Sequence, residues 1–141
     1  MIHVSIISIG KNKEKWLIEA IEDYTKRLRG IIDISFHYAK DNACLIALVE
    51  KEQCTIVCLD STGTMMTSEG FHRSLYGMLE RNGAHIAFVI GGAEGLPPEL
   101  KTGHTLISFS HMTFTHQMVR LILIEQLYRA SEIEKGSHYH K

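Results

Sequence analysis

Val4-Ser5-Ile6-Ile7-Ser8-Ile9 is an almost unbroken apolar run, the pattern of a strand buried in a sheet, and Gly10-Lys11-Asn12 ends it. Leu17, Ile21, Tyr24 and Leu28 then recur at helical spacing with Lys, Glu and Arg between them, and Gly30 follows. That spacing predicts a surface helix covering the sheet. Ile32, Ile34, Phe36 and Tyr38 alternate strictly with Asp33, Ser35 and His37, which predicts a strand with one wet face near a sheet edge.

Residues 41–53 suit a short helix through Leu45, Ile46 and Val49, and Thr55-Ile56-Val57-Cys58-Leu59-Asp60 is apolar enough for a central strand. Phe71, Leu75, Met78 and Leu79 mark another amphipathic helix, with Ser68 as its expected cap and Asn82-Gly83 as its end. Ile86–Ile90 forms a further buried strand. Pro97-Pro98 opens a helical turn, Leu106-Ile107-Ser108-Phe109 supplies a last strand, and a long helix occupies about residues 116–131. Strands and helices alternate throughout, so the expected class is α/β with a mostly parallel sheet flanked by helices. No repeat, low-complexity stretch or linker divides the chain, and residues 1–141 are expected to form one domain.

Composition narrows the function. The chain has no apolar stretch of bilayer length, and Met1-Ile2-His3-Val4 runs into the first strand without a basic n-region or cleavage site; a cytoplasmic protein is expected. Cys44, Cys54 and Cys58 are odd in number and fit neither a disulfide framework nor a paired zinc motif, so reduced, mostly buried thiols are expected. His138 and His140 complete no ligand spacing with His116, and no metal is expected. A net charge of −1 leaves little general attraction for phosphates, so any RNA contact needs a local patch.

In open parallel sheets ligands bind beyond the carboxyl ends of the strands. Those ends read Leu59-Asp60-Ser61-Thr62-Gly63, Gly91-Gly92-Ala93-Glu94-Gly95 and Phe109-Ser110-His111-Met112-Thr113-Phe114. Consecutive glycines let a ligand approach the main chain closely, as reading of an adenine or ribose by peptide groups requires; a plain tight turn is the competing reading. No dinucleotide fingerprint is present, and no Lys-Ser or Lys-Thr follows the glycines, which speaks against NAD and nucleoside triphosphates. The last helix has more apolar positions than one buried stripe needs, so one face meets the sheet and another a second subunit. Arg120, Glu125 and Arg129 lie within that apolar segment, and both structural pairing and RNA contact are open for them.

Val89-Ile90-Gly91-Gly92-Ala93-Glu94-Gly95, Ser108–Phe114, His116-Gln117-Met118-Val119-Arg120, Leu123–Ala130 and the terminal Tyr139-His140-Lys141, with Ile9-Gly10-Lys11 near the start, resemble in order and spacing the RlmH family of SPOUT RNA methyltransferases. The resemblance implies a SPOUT-type alpha/beta knot, in which the C-terminal part of the chain forms a trefoil knot. It also implies a homodimer and methyl transfer from S-adenosylmethionine to N3 of a pseudouridine in 23S ribosomal RNA, on assembled ribosomes. Carried over, the cofactor contacts are Leu59, Gly91 and the stretch Phe109, Ser110, His111, Met112, Thr113 and Phe114. His140 is the first candidate to accept the N3 proton, with Tyr139 and Arg120 positioning the nucleotide and His116 as the substitute base. In a dimer one subunit's tail could reach the other's cofactor, with Arg120, Arg129 and Lys141 forming a basic rim.

Two departures stand out: residues 39–54 are shorter than the family segment, and Thr115 stands where a proline commonly precedes the His-x-x-x-Arg run. A non-catalytic ribosome-associated RNA-binding module of the same fold is the main alternative. A nucleotide-dependent α/β protein is the other, and it lacks the phosphate-loop lysine.

Overall fold

The computed structural model describes residues 1–141. The elements follow in the order β1 (Ile2–Ile9), α1 (Lys15–Arg27), β2 (Ile32–Ala39), α2 (Asn42–Glu50), β3 (Thr55–Met65), α3 (Ser68–Asn82), β4 (His85–Ile90), α4 (Pro98–Lys101), β5 (Thr105–Ser108) and α5 (His116–Lys135). The strands form one sheet in the order β2-β1-β4-β3-β5. Every neighbouring pair is parallel, as the alternation of strands and helices requires.

Both faces of the sheet are covered, which explains why β1 and β4 read as continuous apolar runs. On one face Val4, Ile6, Phe88 and Ile90 pack with Leu17 and Ile21 of α1, Phe71 and Leu75 of α3, and Leu123, Ile124 and Leu127 of α5. On the other, Ile7, Ala87, Val89 and Cys58 meet Leu45 and Val49 of α2 and Leu100 of α4. The alternating strand β2 lies at the sheet edge, as its pattern predicts. Of the cysteines only Cys58 is buried; Cys44 and Cys54 are partly exposed, because they lie where α2 and the head of β3 meet solvent.

Two local expectations change. Thr67, not Ser68, caps α3: its hydroxyl accepts the Gly70 N–H at 3.0 Å, while the Ser68 hydroxyl donates to Gln126 at 2.8 Å and ties α3 to α5. The strand expected to end at Asp60 continues to Met65 through a break in register, with Leu59 and Thr64 both opposite Ile107. Asp60 to Gly63 form the bulge between them. Gly63 is required there, since a Cβ would lie 2.6 Å from the Ile107 backbone carbon.

Candidate active site

The order β4-β3-β5 places side by side the three strand ends singled out in the sequence. Between them lies a cavity of about 670 Å³, within the usual range for a small-molecule site. Leu59 and Asp60 line it from β3, Ile90, Gly91, Gly92 and Gly95 from β4 and the turn after it, and Ile107 to Ser110 and Met112 to Phe114 from β5 onward. Of the expected cofactor contacts, Leu59, Gly91, Phe109, Ser110, Met112, Thr113 and Phe114 all reach this cavity; His111 is absent from its wall. His111 is exposed in the 108–112 turn.

Local hydrogen bonds fix that turn. The Ser108 hydroxyl donates to the Ser110 carbonyl at 2.8 Å and accepts the Ser110 N–H at 3.2 Å, and Ser110 Oγ accepts the Met112 N–H at 3.0 Å. On the opposite wall Gly91 is packed so closely on the next turn that a Cβ would sit 2.5 Å from the Gly95 carbonyl carbon. Gly95 itself has φ 84°, the left-handed region that favours glycine. The walls therefore offer apolar side chains and main chain, with few charges.

The lining includes the ionisable side chains of Glu14, Asp60 and His116. Burial works to raise the Asp60 carboxyl, but bonds from the Thr62 hydroxyl and N–H and the Lys101 ammonium outweigh it and hold Asp60 below the usual carboxylate range. His116, at the start of α5, is pushed below its ordinary value by burial and then by the positive charges of Arg120 and Lys13. Glu14, Trp16 and Leu17 close one side from the start of α1. Trp16 is 54% exposed and lies outside the Leu17 stripe. An aromatic off the buried stripe was the one signal in the sequence that could have added it to the site.

Arg120 is not among the residues that line the cavity. It is fully buried, and no carboxylate faces it. Its guanidinium donates through Nε to Ser8 Oγ at 2.8 Å, through Nη1 to Asn12 Oδ1 at 2.8 Å, and through Nη2 to the carbonyls of Ile9 and Gly10. The Tyr38 ring lies 5.3 Å from its central carbon. The α5 residue thus holds the turn after β1.

Glu125 and Arg129 are paired, with Arg129 Nη2 donating to Glu125 Oε2 at 2.7 Å and Nε to Oε1 at 3.3 Å. The C-terminal tail folds onto this pair. Tyr139 donates its hydroxyl to Glu125 Oε2 at 2.8 Å, and burial together with that bond pushes its pKa up. The His140 ring lies between Arg129 Nη1 at 3.1 Å from Nδ1 and Glu69 Oε1 at 2.9 Å from Nε2. A guanidinium only donates and a carboxylate only accepts, so Nδ1 is the acceptor and Nε2 carries the proton. Neither Tyr139 nor His140 lines the cavity of the same chain.

Comparison with known proteins agrees with this architecture. The family model described as "Predicted SPOUT methyltransferase" matches residues 2–140. The ribosomal RNA large subunit methyltransferase H of Protochlamydia amoebophila (strain UWE25) is 51% identical over 141 residues, covering all of both chains. That of Halothermothrix orenii is 40% identical over 158 aligned positions, covering 98% of this chain and 99% of the relative. Its alignment outruns the 141 residues here, so the shorter form is shared with the Protochlamydia protein and not with that relative. Among solved structures, a probable methylase family protein from Haemophilus influenzae Rd KW20 superposes with a TM-score of 0.62 at 11% identity, covering 98% of this chain and 70% of that one. TrmJ from Z. mobilis ZM4 superposes with a TM-score of 0.54 at 10% identity, over 89% of this chain and 69% of the other. At such identities the two structures speak for the fold. With the family match end to end and relatives at this identity, the chain belongs to the SPOUT methyltransferase family, in the group of the ribosomal RNA large subunit methyltransferase H proteins.

Proposed function

We propose that this protein transfers a methyl group from S-adenosylmethionine to N3 of a pseudouridine in 23S ribosomal RNA within the large subunit or whole ribosome. It would act in the cytoplasm as a homodimer of single-domain subunits whose C-terminal part is knotted. The observation that carries the reading is the cavity at the ends of β3, β4 and β5, set in a chain whose relatives are named for ribosomal RNA methylation.

The residues present fit such a cofactor. Leu59, Ile90 and Phe109 give apolar walls for a flat base, the Gly91–Gly95 backbone can be approached without side chains intervening, and the volume accommodates a nucleoside with its amino-acid arm. When bound, the cofactor supplies a methyl group already activated by its sulfonium. The chain's task is to place the base nitrogen in line with that group and to exclude water, an orientation effect worth several kcal/mol.

Formation of the new N–C bond requires the N3 proton to leave. In the folded-back tail His140 has both ring nitrogens engaged and its lone pair, on Nδ1, held by Arg129, so service as a base requires release from Arg129. A tail extended to the partner's cavity would provide that release and make the site composite. His116 is the base already at the cavity, and its lowered pKa keeps it neutral and able to accept a proton near pH 7.

The direct test is transfer of labelled methyl from the cofactor to ribosomes lacking the modification, with the modified nucleotide mapped afterwards. Label on the pseudouridine of 23S RNA is expected. A folded, cofactor-binding protein that transfers nothing would instead support the non-catalytic RNA-binding reading.

A further inference from the structure

At the opposite end of the sheet from the cavity, the parallel register lines up polar residues at the heads of adjacent strands. Asp33 of β2 is opposite His3 of β1, and His3 is opposite His85 of β4. Thr55 of β3 is opposite Ile86, which puts Cys54 beside His85 in the same row. Register partners point to the same face of a sheet, so Cys54 and His85 share the α2/α4 side. The short connection from α2 to β3 then lays Glu52 over them.

The resulting geometry is tight. Glu52, Cys54 and His85 each bring one ligand atom to within 4.8 Å of the others, and all three are partly buried. Cys54 Sγ lies 3.7 Å from Glu52 Oε2, and His85 Nε2 lies 3.9 Å from the same oxygen. For metal–ligand bonds of about 2.0–2.3 Å, the edge of a tetrahedron is roughly 3.3–3.8 Å, so the two shorter separations are close to those of a formed site. The Glu52 side chain is 18% exposed, and a cavity of about 580 Å³ beside Glu52 and Cys54 connects the cluster with solvent.

We propose that Glu52, Cys54 and His85 form a binding site for a thiophilic divalent cation, with zinc the best match to a thiolate, imidazole and carboxylate set. On binding, the Cys54 thiol loses its proton to solvent and His85 Nε2 exchanges its 2.9 Å contact with the Ser5 hydroxyl for the metal. A water completes the tetrahedron, or His3, whose ring centroid is 6.3 Å from that of His85. The Asp33 carboxylate, 3.1 Å from His3 Nδ1, would orient that ring. The site lies about 20 Å from the Gly91 turn, the length of β4 at about 3.3 Å per residue, so it does not depend on the methyltransferase reading.

The test uses untagged, chelator-treated full-length protein titrated anaerobically with cobalt(II) alone. One equivalent should give a thiolate-to-cobalt charge-transfer band that zinc(II) abolishes by displacement. The band should vanish in Cys54→Ser and persist in Cys44→Ser and Cys58→Ser, and His85→Ala should weaken binding by at least about tenfold. Zinc should also raise the melting temperature of the wild type and leave that of Cys54→Ser unchanged. Circular dichroism verifies that each variant is folded. No charge-transfer band in the wild type, or a band that survives Cys54→Ser, overturns the proposal.

Discussion

Replacing Arg120 by Met separates a scaffold role from a nucleotide contact. Met has comparable length, so the main loss is the set of hydrogen bonds to Ser8, which is buried, and to Asn12 and the carbonyls of Ile9 and Gly10, which are part-buried. If two of these acceptors stay unsatisfied the cost is about 2–6 kcal/mol, at about 1–3 kcal/mol each. Removing a charge buried without a counter-ion offsets part of it, because its desolvation, which pushes the Arg120 pKa down, is relieved. A net loss of about 3 kcal/mol is expected, or roughly 10 °C in melting temperature for a chain of this size. Calorimetric melting and cofactor titration on the same preparations measure it. Because the turn after β1 adjoins His116, cofactor affinity should fall together with stability. A variant within about 0.5 kcal/mol of wild type that binds cofactor normally and transfers no methyl would refute the scaffold argument and place Arg120 at the nucleotide.

Gly91→Ala forces a Cβ into the Gly95 and Leu96 backbone and should open the turn, weakening cofactor affinity at least about tenfold by calorimetry, in line with strain of about 1–3 kcal/mol. His140→Ala should lower turnover far more than cofactor affinity in labelled-methyl assays, since its proposed partner is the base; equal loss of both would count against that role. Burial and then Arg120 and Lys13 hold the folded-state pKa of His116 below that of the unfolded chain, about 6.5. The unfolded state therefore binds more protons below that value, and the stabilisation is whole above about pH 6.5 and declines as pH falls towards the lowered folded pKa. Urea midpoints across this window should drop less steeply in His116→Asn than in the wild type.

The periodicities of the sequence were enough for the succession of strands and helices, for the buried character of β1 and β4, and for the edge position of β2, because burial on one face or two writes directly into residue spacing. They were also enough to mark the strand ends that line the cavity, since ligands in parallel sheets sit beyond carboxyl ends. Strand order was not legible: it placed β3, β4 and β5 together, and it depends on which helix faces pack against which. Nor was the extension of β3 past Asp60, which rests on Gly63 fitting against β5. Arg120 read as a structural pair or an RNA contact, and only the position of α5 against the turn after β1 supplied its neutral acceptors. Cys54 and His85 form no motif along the chain; parallel register makes them neighbours. Local pattern records what each segment buries, whereas the partners of a buried or clustered polar group come from segments distant in sequence and exist only once the sheet has set its order and register.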